Sequence, residues 1–165
     1  EKMHDTIAGY VRTFHSVLLA HTGELVQPGS RLFAWLVRYS AFVVACRATR
    51  RDTGLKPFHA QEGYEFNKPC CKFGEHVMAK LPDIKARSKA LPRWYDAIWV
   101  GLAEFEGGLG YLCLTKNGAE ICRTISRLAP TEQWDARVLR EACGAVEPTR
   151  GLQGGSLRPP RVRRA

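Results

Sequence analysis

The hydrophobic pattern of this chain changes period partway along, and that change restricts the folds open to it. In the first segment Met3, Ile7, Tyr10, Val11, Phe14, Val17 and Leu18 recur every three or four positions, the spacing that lines one face of an α-helix. Gly9 weakens such a helix by about 1 kcal/mol relative to alanine without interrupting the stripe. Gly23 supplies a stop. After Pro28-Gly29, Ser30 is placed to cap a second helix, because its hydroxyl can accept from a backbone N–H of the first turn. There Leu32, Trp35, Leu36, Tyr39, Phe42, Val43 and Cys46 make a wider stripe, which predicts burial on most of the circumference. The polar run 47–54 ends it.

Beyond about residue 58 the spacing shifts toward that of strands. Residues 75–81 read as one strand, and 94–105 are aromatic and β-branched, as strands prefer. Gly107-Gly108 is a turn, 109–115 a further strand, and Asn117-Gly118 a hairpin signal. Residues 119–128 alternate, with Ile121, Arg123, Ile125 and Arg127 on one face and Cys122, Thr124 and Ser126 on the other. Four short strands with tight turns predict a small barrel or curled sheet. Thr131 is expected to open a short helix reaching Cys143. From 148 onward Gly, Pro, Ser and Arg dominate, too little apolar surface to offset chain entropy, so this tail is read as disordered. The fold class is α+β.

Composition adds bounds rather than identity. With 165 residues, 45% hydrophobic and 25% charged, the chain has the makeup of one globular domain or two small ones. The apolar run 41–46 is far too short to span a bilayer, so no membrane is expected as a partner. Residues 1–5 are charged, with no apolar stretch and small-residue cleavage site behind them, so an intracellular location, nuclear or cytoplasmic, is expected. A start at Glu1 rather than methionine is read as a chain processed or cut from a longer one. Cys46, Cys70, Cys71, Cys113, Cys122 and Cys143 are read as reduced thiols. Zinc is gripped by pairs such as Cys-x-x-Cys, whereas Cys70 and Cys71 are adjacent, with His59 and His76 flanking.

Charge distribution is more telling than its sum of +9. Lys80, Lys85, Arg87, Lys89 and Arg93 share fourteen residues with only Asp83, and the last eighteen hold five arginines and no acid, among them Arg158, Arg161, Arg163 and Arg164. Polyanions are the natural partners of such clusters, since phosphate contacts need cations and no sequence code. The plainer reading is solvated surface kept soluble by charge. His4, Asp5 and His15, and likewise His21 with Glu24, match no nucleophile spacing and read as surface polarity. Among Trp35, Trp94, Trp99 and Trp134, core positions are the default, and Trp94, preceded by Arg93, is the best candidate to stack a base. Gly107-Gly108-x-Gly110 has no helix behind it to offer phosphate an N-terminus, so it is a turn.

The order of these parts resembles a known family. Glu1-Lys2, Val11-Arg12-Thr13-Phe14 and Trp35-Leu36-Val37-Arg38-Tyr39-Ser40-Ala41-Phe42 are similar to the closing helices of copia-type LTR retrotransposon integrase cores, in their dinoflagellate-like version. Phe73-Gly74-Glu75-His76-Val77 resembles the first strand of the SH3-like barrel that follows such cores. Trp99-Val100-Gly101, Gly110-Tyr111 and Arg123-Thr124-Ile125 resemble its later strands, and Gln133-Trp134-Asp135 the segment after it. The resemblance covers about residues 1–140. It departs from the family at Cys46-Arg47-Ala48, where Asn-Arg-Phe is common, and at residues 54–59, where a Gly-x-Thr-x-(Tyr/Phe)-Glu pattern is degraded.

The resemblance implies a polyprotein fragment involved in DNA integration. Residues 1–57 would be the C-terminal helices of an RNase H-like catalytic core, 58–72 a linker, 73–129 the SH3-like β-barrel, 130–147 a short helix and 148–165 a disordered Arg-rich tail. Family cores hold two magnesium ions with two aspartates and a glutamate, because two metals clamp the attacking and leaving oxygens of a phosphoryl displacement. Glu1 occupies the place of that glutamate, both as catalytic residue and as metal ligand. It is equally an ordinary helix-start glutamate favoured by the macrodipole. Both aspartates are absent, so the fragment is expected to be inactive alone and to hold no cofactor. Its implied partners are DNA or other nucleic acid, through the 80–93 segment and the tail, and the remainder of the integrase core. The alternative is a non-enzymatic small-barrel adaptor that binds DNA or RNA or docks a protein.

Overall fold

In the computed structural model, which describes residues 2–67, 71–80, 92–105 and 108–144, the first helix, α1 (Lys2–Thr22), stops at Gly23. That residue takes a left-handed φ of 70°, and its N–H donates to the Leu19 carbonyl. The second helix, α2 (Arg31–Arg47), is capped by Ser30, whose Oγ accepts from the Phe33 N–H at 3.3 Å. Its buried residues Leu32, Leu36, Ser40, Val44 and Cys46 spread over more than one stripe. The reason is that α2 is flanked by α1, by the sheet and by a third helix, α3 (Pro57–Glu62). This last element falls in what the sequence assigned mainly to a linker. Proline at its first turn and Gly63 at φ 77° bound it, and Phe58 fastens it by packing edge-on against Phe66 at 5.5 Å.

The strands are β1 (His76–Lys80), β2 (Trp94–Phe105), β3 (Gly108–Thr115), β4 (Gly118–Cys122) and β5 (Thr124–Arg127), followed by α4 (Ala136–Ala142). They form one antiparallel sheet in the order β4-β3-β2-β1-β5. The architecture is therefore α+β, N-terminal helices and then a five-stranded sheet, but the sheet does not close into the expected barrel. The stretch expected to alternate as one strand is broken at Arg123: β4 pairs with β3, and β5 leaves for the opposite edge to pair with β1. Two segments that follow head to tail cannot also lie side by side, so no ladder joins the edges. Regular alternation fails at the same point. Cys122 and Ile125, predicted on opposite faces, share one cluster because the bend slips the parity by one residue.

A second slip occurs between Trp99 and Gly101, where the β2–β3 register shifts and Gly101 takes φ +146°. Such a bulge turns the following side chains over. Ile98 and Val100 face the helices with Leu112 and Leu114, whereas Leu102 packs beside Trp99 on the opposite side. The sheet thus buries both faces. One meets Leu18, Leu32, Leu36 and, from α4, Leu139. The other, inside the curl, holds Val77, Ala79, Ala97, Trp99, Cys113 and Cys122. Tyr39 joins them, stacking on Phe73 at 5.2 Å and meeting Trp99 edge-on at 5.5 Å. Helix α4 is capped by Asp135, not Thr131: the Asp135 carboxylate accepts from the Arg137 and Val138 N–H groups.

Glu75 ties the start of β1 to the end of β5. Its side chain is 0% exposed, and Arg127 of β5 donates to both carboxylate oxygens, from Nε at 2.6 Å and Nη2 at 2.9 Å. The Lys72 N–H donates a third bond at 3.0 Å. Just before it, Gly74 has φ +84°, and a Cβ there would collide with Leu18. Removing one partner of a buried pair costs about 3–5 kcal/mol. The Arg127 side chain is 51% exposed, so water can partly replace it. We therefore expect Arg127→Ala to lower stability by about 2–3 kcal/mol, and Glu75→Gln in that background to recover part of the loss. Urea unfolding midpoints check this; a loss below about 1 kcal/mol would remove the pair's structural role.

Candidate nucleic-acid interface

Strand pairing decides which predicted cations meet. β1 ends at Lys80 and β2 begins at Trp94, and these two are direct cross-strand partners; on its other side Lys80 pairs with Thr124 of β5. A row Thr124–Lys80–Trp94 therefore crosses three strands. Arg93 adjoins one end and Arg123 the other, both exposed. In an antiparallel sheet such neighbours are about 5 Å apart, close enough for one ligand to touch all three. The next row inward is Ser126–Met78–Asp96. On this face, positions 76, 78, 80, 94, 96, 98, 124 and 126 include one acid, Asp96. Its Oδ1 lies 2.8 Å from His76 Nε2.

The helices leave this end of the face open. Their apolar contacts reach Ile98 but not Trp94 or Lys80, so Trp94 remains 38% exposed while Trp99 is 0% exposed. Of the sequence-predicted nucleic-acid residues, Lys80 and Arg93 are brought to the same sheet end. Lys85, Arg87 and Lys89, which the chain carries between them, lie outside the described residues, as do Glu1, Arg158, Arg161, Arg163 and Arg164. Sequence reasoning missed Thr124 and the neighbouring Arg123. In the sequence both lie inside one alternating stretch, and nothing in the local pattern marks where a strand changes partner.

Other candidate groups do not assemble. Cys71, Cys113 and Cys122 are buried in the inner cluster with apolar neighbours, and among the described residues no group of three or more His, Cys, Asp or Glu is placed to hold a metal ion. A groove of about 480 Å³ along α1 is lined by Arg12, Thr13, Ser16, Val17, Ala20 and His21 from that helix alone, and converges on no chemistry. No described helix is long and apolar enough to cross a membrane. No family model, curated protein or solved structure matches the chain.

Two of the thiols, Cys113 and Cys143, are held toward the neutral form. Cys113 is pushed up from the ordinary thiol range by the hydrogen bond it shares with Cys122 and then by burial. Burial, with a smaller contribution from Glu24, raises Cys143 to about 11. A raised pKa means less thiolate at neutral pH, and thiolate is the nucleophile. At pH 8 Cys143 should alkylate on the order of a hundredfold more slowly than free cysteine, and the rate should climb as pH approaches the shifted value. Iodoacetamide labelling with peptide mapping measures this. A rate equal to free cysteine would mean that the α4 end is not packed as described.

Proposed function

We propose that this chain is part of a copia-type retrotransposon integrase, spanning the last helices of the catalytic core and the SH3-like module behind it, and that its role here is to hold nucleic acid. The observation that carries the binding role is the end of the sheet where Lys80 pairs directly with an exposed Trp94, Arg93 precedes the ring and Arg123 adjoins the far end of the row, with Asp96, beside His76, the one acid among the positions on that face. The family reading is supported by the order of parts, helices first and then a meander whose last strand returns to the first. That meander is the strand order of an SH3-like module, built here as an open sheet. Exposed Met3, Val17, Leu19 and Val37 on α1 and α2 fit the expectation that the remainder of the core covers these helices.

On this reading the chain contributes Glu1 at most to a magnesium site, and one carboxylate cannot hold a two-metal centre. Among the described residues no group is placed to hold a metal ion, and no catalytic step is assigned to them. The purified 165-residue chain should therefore show no magnesium- or manganese-dependent joining of DNA ends. Joining activity that Glu1→Gln abolishes would overturn this.

Binding should instead be electrostatic, weak and indifferent to sequence, because phosphate contacts carry no base information. Each phosphate neutralised on duplex DNA contributes about −0.9 to the slope of log affinity against log salt. Replacing Lys85, Arg87 and Lys89 with alanine should flatten that slope by about two to three units if all three touch phosphate. Fluorescence anisotropy across a salt series is the measurement. A slope unchanged by the triple substitution would reduce residues 85–89 to solvated surface.

A further inference from the structure

Four tryptophans are available to a nucleic-acid ligand by type, and their surroundings differ. Trp99 is fully buried in the inner cluster. Trp35 has the Arg38 guanidinium 4.9 Å over its ring, and Trp134 stacks on His21 at 4.4 Å with the planes 4° apart. Among the described residues neither a ring nor a guanidinium stacks on Trp94, which is 38% exposed at the very start of β2. Lys80 stands directly across the strand pair from it, Arg93 precedes it, and the Thr124 hydroxyl lies one strand further. An aromatic ring open to solvent between cations is the arrangement that receives a base on the ring and phosphates on the charges.

We infer that Trp94 is a stacking platform for an unpaired base, so that this end of the sheet takes single-stranded nucleic acid in preference to duplex. The inference rests on the nucleic-acid reading above and narrows it. Inside a duplex both faces of every base are covered by neighbouring bases, so the ring has nothing to stack on except at a frayed end. A single strand offers base faces throughout, and every base has one, so the preference is for strandedness and not for sequence. On the face that carries Trp94 no Asn or Gln occupies positions 78, 80, 124 or 126 to read a base edge by paired hydrogen bonds. Asp96, two positions along, opposes phosphate, but its Oδ1 faces His76 at 2.8 Å. Lys80 and Arg93 beside the ring outnumber that one acid and set the sign of the local field.

The test compares the full chain on a labelled oligothymidylate and on a random-sequence duplex, each of about 12 nucleotides or base pairs, at low salt. Trp94→Ala should weaken single-strand binding about tenfold and leave duplex binding unchanged. Trp94→Tyr should restore it, whereas Trp94→Leu, which keeps apolar bulk and loses the π-face, should behave like alanine. Thermal melts of each variant establish that the fold is retained. If the chain binds neither oligonucleotide, the nucleic-acid reading itself falls. If it binds both and Trp94→Ala weakens them equally or not at all, or if leucine restores what alanine loses, only the stacking platform is overturned.

Discussion

Glu75 carries a carboxylate into the interior where β1 begins, and Arg127, fifty-two residues later, supplies two of its three hydrogen bonds. A buried carboxylate left alone costs several kcal/mol, so the chain folds with that charge inside only if β5 reaches β1. The pairing of Val77 with Arg127 puts the guanidinium beside the carboxylate, and the same ladder extends through Ala79–Ile125 to Lys80–Thr124. The ion pair at one end of β1 thus sets the register that builds the Thr124–Lys80–Trp94 row at the other end. Hydrophobic contacts alone would tolerate neighbouring registers far better than a bidentate charge pair does.

Helices and sheet depend on each other through the residues around that point. Phe73 and Gly74, just before Glu75, meet Tyr39 and Leu18 from the two long helices. The Gly74 N–H donates to the Trp99 carbonyl, and the Trp99 N–H donates to that of Glu75. The segment 73–75 is therefore the junction of the outer cluster, the inner cluster and the sheet edge. Glycine at 74 is required twice over, by its positive φ and by the space that Leu18 takes. Because the helices cover the sheet around Ile98, Val100, Leu112 and Leu114, the open surface is displaced to the Lys80–Trp94 end.

Much of the fold was legible where the controlling interaction is local. Ser30 as a cap, Gly23 as a stop and the span of β2 follow from neighbours within a few positions. The short helix α3 was not legible, since six residues carry too little periodicity, and Pro57 there reads equally well as a loop. Asp135 and Thr131 are both good caps by type, so residue type alone does not choose between them. The break at Arg123 was hidden for a deeper reason: alternation reports a strand's faces but not its partner. The same limit applies to the candidate site. Lys80 and Arg93 were visible as charge, and the exposed ring preceded by arginine was visible as a possibility. That Trp94 stands directly across from Lys80, with Thr124 beyond, is a fact of register that no local pattern encodes.

On the proposed function, nucleic acid meets this chain at the Lys80–Trp94 end of the sheet. Photocrosslinking the intact chain to a bromodeoxyuridine-substituted oligonucleotide, followed by mass spectrometry of the crosslinked peptides, tests it most directly. The account predicts adducts on the peptides containing residues 78–80, 93–95 and 123–124. Adducts confined to the arginine-rich residues 150–164, or to the α1 groove around Arg12 and His21, with the sheet end unmodified, would contradict it.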